Sequence, residues 1–293
     1  MAERRRVGDA LEALGARLLF WLFARLPLDS ASAAGGALGR WIGPHLGASK
    51  RARVNLRRAM PELDDAAIAR IIAGMWDNLG RVVAEYPHLR EIEVFQPGGR
   101  VEVEGAEALL ARREPERRTI FFGAHCGNWE IGALAATQSG LRVAQIYRAA
   151  NNPLVDRLIR AARGPETGAL IPKGRVAARR AVEEIAAGSH LSMLVDQKMN
   201  DGIAVPFFGR DAMTAPALAR LARRYGCTVV PVRIERLGGA HFRLVCEPPL
   251  AVPVTADAAA DVLALMTAVN ATIERWVRAR PEQWLWVHRR WPD

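Results

Sequence analysis

Short apolar runs alternate with amphipathic stretches along most of this chain, and the alternation predicts a layered α/β fold. Residues 119–123, 141–147 and 191–195 are apolar runs of strand length, bounded by glycine or polar residues and too short for helices. Residues 101–103, 228–234 and 242–247 read as further strands. Between them the period changes from 2 to 3.6. Apolar side chains at Ile68, Ile71, Ile72, Met75, Leu79, Val82 and Val83 mark one face of a helix over 62–86, which Pro61 precedes. Helical periodicity also predicts helices over 104–113, 131–137, 154–163, 176–187 and 261–278, and one capped by Thr214 that runs to Tyr225. Strands alternating with helices argue for a twisted, mostly parallel sheet covered by helices on both faces.

The N-terminal region has a different texture. Residues 11–28 are rich in Leu, Phe and Trp, but Glu12, Arg17 and Arg25 interrupt them. The longest uncharged stretch, 18–24, is far shorter than the ~20 residues a spanning helix needs. An amphipathic helix lying in a membrane interface is the expectation, with Trp21 and Phe23 toward the acyl boundary and the arginines toward head groups. A glycine-rich helical stretch over 34–47 and a basic cluster at Arg51, Arg53, Arg57 and Arg58 follow. The expected division is N-terminal membrane-interface helices (1–50) followed by one α/β domain (51–293).

Charge and cysteine content narrow the setting. The 293 residues carry 41 Lys and Arg against 31 Asp and Glu, a net charge of +10, and nearly all the cations are arginine. No zinc-finger spacing or RNA-binding aromatic motif accompanies them, so nucleic acid is not the expected partner. An anionic membrane surface suits the arginine clusters. Cys126, Cys227 and Cys246 are scattered and odd in number, which fits a reducing compartment. No secretory signal is evident.

The candidate chemistry sits where the 119–123 strand ends, in Phe-Phe-Gly-Ala-His-Cys-Gly-Asn-Trp-Glu over 121–130. His125 falls in a strand-to-helix turn at the carboxyl end of a strand, where open α/β sheets hold their sites. Asn128 is placed to cap the helix that follows. Glu130, five residues after the histidine, is the carboxylate expected to orient the imidazole so that it can deprotonate a hydroxyl. The same pair could instead be a structural contact. Cys126 offers a thiol nucleophile as a rival, although neighbouring side chains usually point apart. The spacing matches no familiar zinc ligand set, and nothing in these residues calls for a metal or organic cofactor.

His125 with Asn128-Trp129-Glu130 resembles the signature of the lysophospholipid acyltransferase superfamily, in the form found in its bacterial lipid A late-acyltransferase branch. Tyr147-Arg148 with Asn151-Asn152-Pro153, Arg163, Leu194-Val195-Asp196-Gln197 and Val205-Pro206-Phe207-Phe208-Gly209 with Thr214 resemble later blocks, as do residues 281–286 and 288–291. The ordered matches span residues 55–291. The resemblance implies a glycerolipid acyltransferase-like fold and transfer of a fatty acyl chain to a lipid hydroxyl. Acyl carrier protein or acyl-CoA would be the donor, and a glycolipid or phospholipid, foremost a lipid A precursor, the acceptor. It also implies the cytoplasmic face of the bacterial inner membrane, with a monotopic attachment or a single N-terminal anchor. His125 and Glu130 are then the catalytic pair, and Arg163, Arg148, Asp196, Asn128 and Gln197 bind substrate. Arg163 would grip a phosphate or polar head, Arg148 at its strand end is the alternative, and Asp196 would position the histidine or the acceptor. Backbone amides near Gly127 or at the helix start would stabilise an oxyanion. Phe207 and Phe208 would line an acyl tunnel, while Trp284, Trp286 and Trp291 beside His288 suit either an interface or ordinary packing.

Overall fold

The computed structural model of the protein describes the backbone of residues 2–105, 118–163, 169–174 and 176–291, and side chains from residue 8 onward. Four helices come first: α1 (Ala2–Ala24), α2 (Leu28–Ile42), α3 (Gly47–Ala59) and α4 (Asp65–Glu85). The sheet-forming region follows with β1 (Val101–Glu104), β2 (Thr119–Gly123), α5 (Glu130–Gln138), β3 (Val143–Tyr147), α6 (Pro153–Arg163), β4 (Leu170–Pro172), α7 (Ala177–Ala186) and β5 (His190–Leu194). A hairpin of β6 (Lys198–Phe207) and β7 (Arg210–Thr214) precedes α8 (Ala217–Tyr225), β8 (Thr228–Gly238), β9 (His241–Cys246) and α9 (Ala258–Ala279).

Seven strands form one sheet in the order β1-β9-β8-β2-β5-β3-β4, parallel throughout except between β8 and β9. The mostly parallel α/β architecture expected from the sequence is the one observed. Residue alternation along β2 shows why both faces are covered: Ile120 and Phe122 enter one hydrophobic core and Phe121 enters the other, as side chains one apart on a strand must. Asp64 caps α4 by accepting a hydrogen bond from the Ala67 amide at 2.6 Å, which places the helix start three residues beyond the expected one. The 104–113 helix falls beyond residue 105 outside the described residues; Glu104 itself closes β1.

Two elements depart from expectation. Thr214 does not cap a helix. It ends β7, and α8 starts after Pro216. The β6–β7 hairpin is the larger surprise, because Pro206 lies within β6 and a proline cannot donate to a ladder. The pairing survives because the hairpin is a separate two-stranded unit in which Pro206 faces Asp211, closed by Phe208 and Gly209, both at positive φ.

Helices α2 and α4 pack so closely that their backbones touch. A Cβ at Gly80 would stand 2.1 Å from the Gly35 carbonyl oxygen, and one at Gly39 would stand 2.0 Å from that of Trp76. Glycines four apart on α2 therefore make a flat strip that seats the long helix beneath the site. Gly80→Ala should cost about 1–3 kcal/mol of stability through overpacking, read as a lower urea midpoint. Gly15→Ala is the control, since nothing lies within 4 Å of that position. Alanine is the better helix former by roughly 1 kcal/mol, so the control's midpoint should stay or rise. Equal effects from the two substitutions would show that these glycines do not set the helix spacing.

Candidate active site

Four parallel strands that neighbour one another, β2, β5, β3 and β4, each carry a polar residue just past their carboxyl ends. His125 follows β2, Asp196 and Gln197 follow β5, Arg148 follows β3 and Lys173 follows β4. Sheet order, not chain order, makes them neighbours. A cavity of about 590 Å³ opens beside them. Its deep wall is apolar, with Leu79, Phe121, Ala136, Leu141, Ile234 and Leu244, while His125, Arg148, Asn151, Lys173, Gln197 and His288 supply polar groups.

Asp196 has no exposed surface. Its Oδ1 lies 2.8 Å from His125 Nδ1, and its Oδ2 accepts hydrogen bonds from the His125 amide at 2.9 Å and from Trp284 Nε1 at 2.8 Å. Burial alone would raise this carboxyl, but the neighbouring His125 and its hydrogen bonds outweigh burial and hold it well below the usual carboxylate range. An ionised Asp196 accepts a hydrogen bond from Nδ1–H of His125, which selects the tautomer whose Nε2 presents its lone pair on the cavity side. The spacing pairs His125 with Glu130; the structure pairs it with Asp196 instead.

Glu130 has another task. Its carboxylate receives both Nε and Nη2 of Arg163, each at 2.7 Å, and the Tyr86 hydroxyl at 2.7 Å. Burial pulls against the Arg163 charge, and the Glu130 carboxylate overrides it. Arg163 is thus largely occupied, although its buried Nη1 has no hydrogen-bond partner among the described residues. Asn128, expected to bind substrate, is fully buried away from the cavity. It is not the cap of α5 as expected, since Trp129 holds that position without a side-chain bond. Its Oδ1 accepts the Glu130 amide at 3.1 Å from one residue earlier, and its Nδ2 donates to Glu85 at 2.8 Å.

The turn that carries His125 is clamped from both sides. Asn78 of α4 donates to the Gly127 carbonyl at 2.9 Å, and the Gly127 amide donates to the Gln283 carbonyl at 3.2 Å. Gly127 sits at φ +54°, where a Cβ would come 2.8 Å from the Ile234 carbonyl oxygen. The amides of His125, Cys126, Gly127, Glu130 and Ile131 all donate within this scaffold. Most of the amides expected to serve as oxyanion donors near Gly127 and at the helix start therefore already have partners.

A C-terminal strap, residues 281–291, completes the site. Trp284, Trp286 and Trp291 are buried and so serve packing. Phe207 and Phe208 pack with these tryptophans and do not line the cavity, contrary to the acyl-tunnel expectation. His288 reaches the cavity with its ring centroid 5.4 Å from that of His125. Burial pushes the His288 imidazole down to about 4, helped by His125, Arg148 and Lys173 and opposed by Asp196. Desolvation likewise lowers the Lys173 ammonium, with Arg148 acting in the same direction. Trp284, His288 and Lys173 were not readable as site residues. Trp284 and His288 stood only in the terminal blocks that carry the resemblance, and nothing along the chain singled out Lys173.

The family model for bacterial lipid A biosynthesis acyltransferases matches residues 3–293. The chain belongs to that family. It is 26% identical over 288 residues to the lipid A biosynthesis lauroyltransferase of Escherichia coli, covering 93% of this chain and 88% of the relative. It is 27% identical over 256 residues to that organism's lipid A biosynthesis myristoyltransferase, covering 85% and 77%. The solved structure of 1-acyl-sn-glycerophosphate acyltransferase from Thermotoga maritima aligns with 94% of this chain and 99% of its own at 17% identity and a TM-score of 0.41. The enzyme is an acyltransferase, and the resemblance read from its motifs is borne out.

For an acyltransferase the rival nucleophile matters. Cys126 is buried against the strap, in a bridge with Trp284, and burial first and the Asp196 charge second push its thiol well up. A thiol so placed is a poor nucleophile. Among the described residues no group of three His, Cys, Asp or Glu side chains could hold a metal ion.

Asp196 yields a pH prediction. Its folded-state value lies below that of a free aspartate, near ~3.9, so its stabilising contribution is complete above about pH 4 and is lost as pH falls further. Asp196→Asn should lower the thermal midpoint at neutral pH, at a cost of roughly 1–3 kcal/mol, and flatten the acid limb of the stability profile. An unchanged acid limb would mean that the carboxyl is not ionised in the folded protein.

Proposed function

We propose that the enzyme transfers a fatty acyl chain from an acyl thioester, carried by acyl carrier protein, to a hydroxyl of a lipid A precursor, with His125 as general base. The observation that carries this reading is an imidazole whose Nδ1 is held by a buried carboxylate while its other nitrogen faces a large apolar cavity. The acceptor hydroxyl gives its proton to Nε2 and its oxygen attacks the thioester carbonyl. The tetrahedral intermediate collapses with cleavage of the C–S bond, and the imidazolium returns the proton to the departing thiolate. Asp196 keeps the imidazole in the required tautomer and steadies its positive form. Glu130 contributes by fixing Arg163 and Tyr86 in the cavity wall.

The relatives, a lipid A lauroyltransferase and a lipid A myristoyltransferase, support lipid A as the acceptor's class. In this reading Arg148 and Lys173 meet the anionic head of the acceptor, and Arg163 offers it only the free Nη1. The basic helix α3 runs against the strap, where Arg51 donates to the Val287 carbonyl at 3.2 Å and Asn55 to that of His288 at 2.7 Å. That places an arginine-rich face close to the cavity and suits an acidic carrier protein. His125→Ala should lower turnover by roughly 10²–10⁴-fold, whereas Cys126→Ser should stay within about an order of magnitude of wild type, because a buried thiol is no nucleophile. Assays with purified acyl carrier protein thioester and lipid A precursor, read by mass spectrometry, decide the matter. A folded His125→Ala enzyme with wild-type turnover would sink the mechanism.

The same reading places the enzyme on the inner membrane through residues 1–50. Among the described residues no helix is long and apolar enough to cross a membrane. Leu11, Leu14, Leu18 and Leu22 nevertheless leave one stripe of α1 exposed, with Leu11 and Leu14 each at 64%, while Phe20 turns inward onto Tyr86. Phe23, expected at the acyl boundary, is buried. Arg25 lies over the Trp21 ring at 4.7 Å. Asn152, next to the cavity residue Asn151, donates to the Asp9 carbonyl at 2.7 Å and to Glu12 at 2.9 Å. The apolar stripe is therefore tied to the cavity side of the molecule, where a lipid acceptor would enter. Leu14→Glu with Leu18→Glu should leave the thermal midpoint unchanged and abolish co-sedimentation with anionic phospholipid vesicles. Undiminished binding would remove α1 as the membrane contact.

A further inference from the structure

Formation of a tetrahedral intermediate at the thioester carbon puts negative charge on the former carbonyl oxygen, and some N–H group must meet it. The turn around His125 has few to spare, because five of its amides already donate within the scaffold. A side-chain N–H in contact with the His125 ring is that of Gln197. Its Nε2 lies 3.4 Å from His125 Nε2 and 3.3 Å from His288 Nε2, and all three residues line the cavity.

We propose that Gln197 is the oxyanion donor and that His288 is the positioning residue that aims it. The argument rests on the reading of His125 as general base. In the resting site His125 carries its proton on Nδ1, so its Nε2 is an acceptor and the Gln197 carboxamide presents NH₂ to it. The second hydrogen of that NH₂ goes to His288 Nε2, whose neutrality is secured by burial and by the Arg148 and Lys173 charges. Both contacts are long, and an arriving hydroxyl displaces the one on His125.

When His125 takes the substrate proton, its Nε2 becomes a donor and cannot face another N–H. The amide hydrogen of Gln197 that the hydroxyl displaced therefore cannot return to His125 and is free to meet the adjacent carbonyl oxygen as it becomes negative. The other hydrogen, still accepted by His288, keeps the carboxamide from flipping its oxygen toward the oxyanion. His288 can hold this position because Asn55 donates to the carbonyls of both Trp286 and His288 at 2.7 Å, and Trp291 Nε1 donates to the Phe207 carbonyl at 3.1 Å.

The test is a double-mutant cycle on the full-length enzyme with acyl carrier protein thioester as donor. Gln197→Ala should reduce kcat by about 10²-fold and His288→Leu by about 10-fold or more, each with much smaller changes in KM. The double variant should be no slower than Gln197→Ala, because His288 acts only through Gln197. His288→Gln, which offers a carbonyl oxygen to the same N–H, should recover most of the activity lost in His288→Leu. Gln197→Glu keeps the shape and removes the donor, so it should resemble Gln197→Ala. It also decides the case if a His288 variant fails to melt like wild type. Additive losses in the cycle, equal losses for His288→Leu and His288→Gln, or a fully active Gln197→Glu each overturn the proposal. His125→Ala is run in parallel. If it stays active, the general-base reading fails and takes this one with it. An inactive His125→Ala with an additive cycle removes this proposal alone.

Discussion

A carboxylate with no exposed surface is tolerable only where donors converge on it, and Asp196 imposes that condition on the whole molecule. Its three hydrogen bonds come from the loop after β2, twice through His125, and from Trp284 of the C-terminal strap. Strand β5 supplies the acid, its neighbour β2 supplies the histidine, and the strap supplies the indole. None of the three can shift by an ångström without stranding a buried charge. The requirement that folds the strap onto the sheet is thus the same one that fixes the imidazole tautomer.

Behind this acid a second buried charge pair keeps the turn in place. Glu85, fully buried on α4, is bound by Arg236 of β8, by Asn128 of the turn and by Ser32 of α2. Arg236 also donates to Asn78 at 2.8 Å, and Asn78 in turn holds Gly127. The glycine strip between α2 and α4 belongs to the same construction, because the carboxylate can reach all its partners only if the helix backbones nearly touch. Stability and site geometry are drawn from one network, so changes far from the cavity in sequence act on His125 through it.

The surface divides as the interior does. Exposed apolar side chains line α1, and the cations Arg148 and Lys173 line the cavity. In the proposed reaction, which joins a lipid to an acyl chain on an acidic carrier, both would be used. The proposed division of labour leaves Glu130 and Arg163 as wall and His125, Asp196, Gln197 and His288 as machinery.

Much of this was legible along the chain. Strand β2 and the helix after it followed from an apolar run ending in Gly123 and from Asn128, and the position of His125 at a strand's carboxyl end followed from both. Local signals suffice where the decisive neighbours are local. The β6–β7 hairpin was hidden because Pro206 contradicts strand chemistry in isolation. The partner of His125 was left open for a different reason, with Glu130 favoured by spacing and Asp196 given a place at either the histidine or the acceptor by the resemblance. Glu130 is close in sequence, but α5 turns it toward Arg163, whereas Asp196 arrives because β5 inserts beside β2 in the sheet. Trp284 and His288 lie still further along the chain, and no spacing rule connects them to residue 125. The amino-acid sequence by itself determined the place of the candidate histidine, the α/β layering and the family. Which carboxylate that histidine answers to, and which groups surround its free nitrogen, was decided only in three dimensions, since strand order and the return of the strap are properties of packing.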